Sequence, residues 1–414
     1  MNKDNKVFCI LPWIHTHLNT EGDVFPCCVS WTPQRESRVG WLKDNSLEEL
    51  FNNDFMKQLR LDMLAGKERP DVCSNCYDRE DSGFQSARQG YNRDHKKDLP
   101  IVEDTAEDGY IEPIIKSWDI RFSNLCNMKC RSCGPLFSTT WAQEKKEFAN
   151  IKIQAIDDNA PDPLLRQYDN VEKIYFAGGE PLIMPEHFNT LKELISRNRA
   201  KNIELIYNSN MSKLDYNKNE ILSYWKQFKK VVVGVSADAV GPRAEYIRNG
   251  IKWNTIEANL AKLMQFKQQC KSFDFYYSPT VGVLNIFHIT DMHQYLWTNN
   301  LMPNINAINF NLLLYPKHYE FKILPDNIKK IIIEKIKCHE NWLKENDATV
   351  DTINNYINLR NNLLQDVGTV ELENFFRITK QLDSIRKESF VDVFPEYAEM
   401  YLSQNVEQRN NNGK

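Results

Sequence analysis

The sequence predicts an α/β protein built around a partial (β/α)6 TIM-like barrel, with an irregular cysteine-rich module before it and a helical extension after it. Three observations lead there. From about Lys116 to Leu313, six strand-like runs alternate with amphipathic helical runs, the order that a parallel sheet with right-handed crossovers requires. Eight of the ten cysteines fall within the first 133 residues. After Pro325 the strand signal disappears and apolar residues recur at helical spacing.

The strands are expected at Ser117–Phe122, Val171–Phe176, Ile203–Asn208, Lys230–Ser236, Asp274–Val283 and Asn306–Leu313. Helices are expected between them, at Pro185–Arg197, Leu214–Phe228, Trp253–Cys270 and Phe287–Asn299. Six strands rather than eight favour an incomplete barrel or open sheet. Before the barrel, Ser46 to Leu64 reads as one helix, opened by the S-x-x-E capping box of Ser46 and Glu49. The acidic stretch Asp98 to Asp108 reads as a linker. Ile328, Ile331, Ile332, Ile336 and Trp342 form one expected buried stripe of the helical extension, and Phe375, Ile378, Leu382 and Ile385 a second. Cys270 and Cys338 are expected in the core, and the polar tail from Arg409 to Lys414 is expected to fray. The resulting division is 1–100 for the cysteine-rich module, 101–115 for the linker, 116–320 for the barrel and 321–414 for the helical region.

Composition narrows the function classes. The chain has 414 residues, 42% hydrophobic and 26% charged, which suits two or three globular domains. Its 52 Lys and Arg against 56 Asp and Glu give a net charge of -4, which disfavours a dedicated nucleic-acid binder. No apolar run is long enough to span a bilayer, and no signal peptide is evident behind Met1 to Ile10. A cytoplasmic, reducing location is the expectation, and there clustered cysteines read as metal ligands before disulfides.

Two cysteine groups carry the chemistry. Cys126-x3-Cys130-x2-Cys133 follows the first barrel strand directly, on the edge where parallel α/β folds place their active sites. Three thiolates leave one coordination position open, as catalytic metals need, and no fourth Cys or His follows before His187. Zinc with a distant ligand is the alternative. The second group is Cys9, Cys27, Cys73 and Cys76, four thiolates that suit either an iron–sulfur cluster or a structural zinc. Cys28 cannot easily face the same group as Cys27, and His15 and His17 lie close enough in sequence to stand in for a thiolate. Asp274, Tyr276, Tyr277 and Tyr315 are candidates for lining a substrate cavity.

The segment from Trp118 through Cys126, Cys130 and Cys133 to Gly134-Pro135 resembles the signature of the radical S-adenosylmethionine (SAM) superfamily. The resemblance implies that the three cysteines hold a 4Fe–4S cluster whose open iron chelates the amino and carboxyl groups of SAM. It further implies reductive cleavage to a 5′-deoxyadenosyl radical, which abstracts hydrogen from substrate. Ser132 stands where many members have an aromatic residue. Gly178-Gly179-Glu180-Pro181 resembles the family's SAM-binding G-G-E-P turn, with the glycines admitting close approach of a ligand. Ser209 and Asn210 occupy the end of the third strand, where relatives often carry Thr-Asn. Ser236 and Asp238 stand where relatives contact the SAM ribose, and Arg248 resembles an arginine that pairs with the SAM carboxylate.

Leu11-Pro12-Trp13, Gly22 to Cys28 and Cys73-x2-Cys76 resemble the Twitch module, the shorter relative of the SPASM domain, which implies an auxiliary iron–sulfur cluster. In relatives that module follows the barrel; here it precedes it. The implied partners are a flavodoxin- or ferredoxin-type reductase and a peptide, protein or small-metabolite substrate. Two other readings stand beside this one: a non-enzymatic metal-binding interaction protein, and a radical SAM enzyme acting on RNA.

Overall fold

The computed structural model describes residues 5–30, 36–81, 85–144, 167–365 and 370–401. The expected fraying tail at 409–414 lies outside them. The chain divides into two compact units, one formed by Met1–Cys126, Lys145–Tyr207 and Asp215–Val232, the other by Asn127–Glu144, Asn208–Leu214 and Val233–Lys414.

Mixed α/β architecture holds, organised on an eight-stranded, mainly parallel sheet. Its strands are β1 (His15–Leu18), β2 (Asp23–Phe25), β3 (Gly40–Trp41), β4 (Ser117–Ile120), β5 (Lys173–Phe176), β6 (Glu204–Ser209), β7 (Lys230–Val235) and β8 (Phe273–Tyr277). The order is β8-β7-β6-β5-β4-β1-β2-β3. The cysteine-rich segment is therefore not irregular. It contributes three strands, and β1 pairs in parallel with β4, setting His15 opposite Ser117 and His17 opposite Asp119. β2 and β3 are only three and two residues long, and β1, His15-Thr16-His17-Leu18, has one apolar residue and so no apolar alternation to register.

In the first unit, β4 is buried on both faces and β5 on one. Trp118, Ile120, Ile174, Phe176, Leu205 and Tyr207 have no exposed surface, and against this apolar face packs the helix Pro185–Ser196 through Phe188, Leu191 and Leu194. His187 sits edge-on to Phe176 and Tyr207 and reaches the Tyr207 hydroxyl at 2.9 Å. The opposite face carries polar side chains from the alternate positions of the same strands.

Elsewhere the elements depart from the expected boundaries for local reasons. The single helix expected over Ser46–Leu64 is two, Leu47–Phe51 and Asp54–Leu64, because Asn53 caps the second by accepting from the Met56 N–H. The acidic linker is a 3₁₀ segment, Lys96–Asp104, pinned by Asp98, which is buried and pairs with Lys116 at 2.7 Å. The helix expected from Leu214 shrinks to Ile221–Trp225, since Asn217 and Lys218 take positive φ and close a two-residue hairpin ahead of it.

In the second unit, Pro279 interrupts the long strand expected to reach Val283. Only Thr280–Val281 resumes, paired with Asn311–Leu312. The sixth expected strand therefore reduces to that pairing and one bridge, Tyr277 to Ile308. The C-terminal helices are Asp326–Glu345, Val350–Leu363 and Val370–Arg386. Ile331 and Ile385 fall on their exposed sides, and Cys338 is exposed rather than in the core. Cys270 ends a helix half-buried.

Four buried histidines give the fold a pH signature. Burial pushes His15, His187 and His339 down to about 3 and His293 down to about 4. In the unfolded chain each titrates near ~6.5, so below that pH the unfolded state takes protons that the folded state refuses. Stability should fall as the pH drops from about 6.5, by at most about 1.4 kcal/mol per pH unit for each such group. His288, raised by Asp291 and Glu396 against its own burial, works in the opposite sense. Urea midpoints at about pH 7.5 and about pH 5 measure the difference, and His187→Gln should shrink it.

Candidate metal centres

Cys9, Cys27, Cys73 and Cys76 line a single cavity in the first unit, together with apolar side chains that include Leu59, Met63 and Val72. Their convergence has a local cause. The helix Pro70–Asp81 carries Cys73 and Cys76 three residues apart and so on one face. Cys9 precedes the turn Leu11–Ile14, and Cys27 follows β2. Burial pushes the Cys9 thiol up to about 12 and the Cys73 thiol up to about 11. Cys27 is raised further, by burial and by the three neighbouring thiols. The nearby guanidinium of Arg88 is spent on Glu80 and the Phe8 carbonyl. Four thiolates in an apolar pocket are stable only with a bound cationic centre, and this donor set fits iron–sulfur or zinc. Among the described residues, no three His, Cys, Asp or Glu converge on the point a single metal ion would occupy.

Cys28, His15 and His17 turn away from that cavity. The Cys28 thiol faces Asp119, which with burial raises it well above the usual range. His15 Nδ1 lies 2.9 Å from Ser117 Oγ, and its Nε2 has no hydrogen-bond partner among the described residues. His17 Nδ1 stands 3.2 Å from Asp119, and Arg121 Nε 3.7 Å from the same carboxylate. Asp119 has no exposed surface. Burial opposes its charge, but His17 and Arg121 outweigh it and hold the carboxyl well below its ordinary value. By register, Tyr175 of β5 lies beside Asp119. This polar row was missed in the sequence, although β4 signals it: Ser117, Asp119 and Arg121 alternate with Trp118, Ile120 and Phe122 in a strand buried on both sides.

Cys126 belongs to the first unit and Cys130 and Cys133 to the second. In the first unit the loop before Cys126 lies on the G-G-E-P turn. Gly179 N–H donates to Ser123 O at 3.3 Å and Glu180 N–H to Leu125 O at 2.8 Å. A Cβ on Gly179 would stand 2.0 Å from Leu125 O, and one on Gly178, at φ +120, 3.2 Å from Ser123 O. The space expected for an approaching ligand is thus filled at Gly179 by the cysteine loop itself. Glu180 is buried and its carboxylate accepts from the Leu182 N–H after Pro181.

In the second unit, Lys129–Cys130 pairs antiparallel with Arg248–Asn249. Arg248 Nη1 donates to Cys130 Sγ at 3.8 Å, and its Nε lies 2.8 Å from Asp238 Oδ2. Burial works against the Arg248 charge, yet Asp238 and the Cys130 and Cys133 sulfurs raise its pKa above the ordinary value. Cys130 is raised by burial and Cys133 is pushed up to about 12. Asp238 also accepts from the Thr280 N–H at 2.8 Å. Asn210 donates to Asn127 Oδ1 at 3.1 Å and accepts from the Ser212 N–H, while Asn127 donates to Ser212 Oγ. Ser209 O accepts from the Ser236 N–H at 2.8 Å. Arg248, Asp238 and Cys130 are therefore brought together, whereas Tyr277 is spent on the Leu301 carbonyl and Tyr315 is largely exposed.

Residues 120–277 match the family model of the radical SAM superfamily, and residues 9–77 match the iron–sulfur cluster-binding SPASM domain. A radical SAM domain implies a 4Fe–4S cluster and SAM, and a SPASM domain implies auxiliary iron–sulfur. No curated protein matches the chain. Among solved structures it is similar to native anSMEcpe with bound AdoMet, at 20% identity and a TM-score of 0.41, covering 56% of this chain and 63% of that one. It is also similar to the radical S-adenosylmethionine methyltransferase TsrM from Kitasatospora setae, at 12% identity and a TM-score of 0.33, covering 47% and 36%. The chain thus spans less than two thirds of either structure. No described helix is long and apolar enough to cross a membrane.

Two outcomes follow for the holoprotein. Gly179→Ala, which drives a methyl group into the Leu125 carbonyl, should lower stability by at least about 1–3 kcal/mol in urea unfolding. Cys76→Ser should lose the iron of the N-terminal centre, whereas Cys28→Ser, on the far side of Cys27, should keep the wild-type iron and sulfide content.

Proposed function

We propose that this chain is an enzyme that cleaves SAM reductively and takes a hydrogen atom from a peptide, protein or small-metabolite substrate, in a partial (β/α)6 barrel. The observation that carries the reading is the family match over 120–277, which contains Cys126, Cys130 and Cys133 together with Gly178 to Pro181, Asp238 and Arg248. Cys126, Cys130 and Cys133 would hold the 4Fe–4S cluster, and Cys9, Cys27, Cys73 and Cys76 the auxiliary one. When bound, the cluster and SAM supply a 5′-deoxyadenosyl radical.

The chain's own residues do the positioning. Arg248 is held by Asp238 through Nε and by Cys130 through Nη1, and would present Nη2 to the SAM carboxylate. Ser209, Asn210 and Ser236, at the ends of β6 and β7, supply polar groups for the rest of SAM. Glu180 and Pro181 fix the turn that carries Gly178 and Gly179, and through it the loop before Cys126. On the polar face of β1 and β4, the buried Asp119 carboxylate between His17 and Arg121 holds the two strands in register. Electrons come from a flavodoxin- or ferredoxin-type donor. The net charge of -4 leaves RNA the less favoured substrate.

The test is 5′-deoxyadenosine formation from SAM by anaerobically reconstituted protein under a strong reductant. Wild type should form it, and Cys126→Ala should lose it by at least about a thousandfold, to background. Formation by Cys126→Ala at the wild-type rate would sink the assignment of the SAM-binding cluster. No formation by iron-loaded wild type would favour a metal-binding protein without this activity.

A further inference from the structure

The C-terminal helices match neither family model, yet one of them grips the second half of the cysteine loop. Arg131 lies between Cys130 and Cys133 and is 1% exposed. A guanidinium cannot be buried there without compensation. Its Nη2 donates to Asp383 at 2.5 Å and to Glu388 at 2.7 Å, and its plane stacks 3.6 Å from the centroid of Tyr246. Tyr246 in turn donates to Asp383 at 2.7 Å, and Asn249 to Glu388 at 2.6 Å. The clasp therefore ties together the loop, the Arg248 ribbon and the end of the helix Val370–Arg386.

A second pairing lies on the same helix. The Arg386 side chain is fully buried and meets Glu144 through Nε and Nη2, while Glu144 also takes Lys129, the residue before Cys130. Through Glu144, Arg386 is tied to the residue that precedes Cys130. The end of this helix thus supplies carboxylates that hold the loop's arginine and a buried cation that holds the carboxylate partner of Lys129.

We infer that Asp383, Arg386 and Glu388 are positioning residues for the SAM-binding cluster, so that the C-terminal region retains that cluster and sets its electrostatic surroundings. The inference rests on the reading that Cys126, Cys130 and Cys133 hold it. Asp383 and Glu388 order the loop through Arg131, and Arg386 contributes positive charge beside a centre that is anionic in every ligated state.

The experiment uses reconstituted full-length holoprotein challenged with an iron chelator, followed by the EPR signal of the reduced cluster that changes when SAM is added. In Asp383→Asn/Glu388→Gln that SAM-responsive signal should decay at least about tenfold faster than in wild type. Ile385→Ala, an exposed position on the same helix, should decay at the wild-type rate. Should the double variant fail to fold, Arg386→Gln gives a second readout: with the cation gone, the SAM-responsive cluster should become harder to reduce, its midpoint potential shifting negative. Decay of the folded double variant within about twofold of wild type would overturn the role of the carboxylates. An unchanged potential in Arg386→Gln would overturn that of the cation. A wild-type holoprotein without any SAM-responsive signal would instead remove the underlying reading, and this inference with it.

Discussion

A carboxylate with no exposed surface has to be compensated where it lies, and Asp119 sets that condition for the first unit. It stands in the middle of a sheet covered on both faces. Its partners come from different parts of the chain: Arg121 from its own strand, His17 from β1 across the register. Pairing β1 with β4 satisfies the backbone of both strands and delivers His17 to Asp119 at once. It also fixes where the chain leaves β2, and so where Cys27 and Cys28 fall. The two adjacent cysteines then separate, Cys27 toward the other three thiols and Cys28 toward Asp119. The SPASM segment is in this sense an edge of the main sheet.

The cysteine loop is held by two different kinds of contact. Before Cys126 the constraint is steric and backbone-to-backbone: Gly179 lacks a Cβ so that Leu125 can lie against it, and amide groups of the turn donate to loop carbonyls. After Cys126 the constraint is ionic and made by side chains, through Arg131, Lys129 and Arg248 with their carboxylate partners. Backbone contacts of the first kind tolerate few substitutions, because any side chain at the glycine meets backbone. Contacts of the second kind depend on a matched set of charges, and removing one partner leaves the other buried and unpaired.

Legibility in the sequence divided along the same physical line. Strands β4 to β7, and the helix against them, were readable because their apolar positions recur over enough residues to register a period. The cysteine spacings were readable because thiolates so close together have few other uses in a reducing compartment. β1 to β3 were not, since β2 and β3 run only three and two residues and β1, His15-Thr16-His17-Leu18, carries a single apolar residue. At Gly179 the close approach that a glycine announces is made, on the side where a Cβ would point, by the chain itself. The charges that grip the loop were unreadable because Arg131 and Asp383 lie 252 positions apart, and a lone arginine between cysteines looks like any solvated side chain.

The two cysteine groups also differ in their surroundings, and the difference bears on what each can do. Around Cys9, Cys27, Cys73 and Cys76 the walls are apolar and the one guanidinium at hand is engaged by Glu80. Around Cys130 stand Arg248 and Arg386, both lowering the cost of negative charge on sulfur. Low polarity disfavours each added electron, whereas a nearby fixed cation offsets part of that cost. A cluster held by the second group would sit where negative charge costs less. The helix that supplies Arg386 is therefore part of the chemistry's setting, although its sequence bears no mark of either domain.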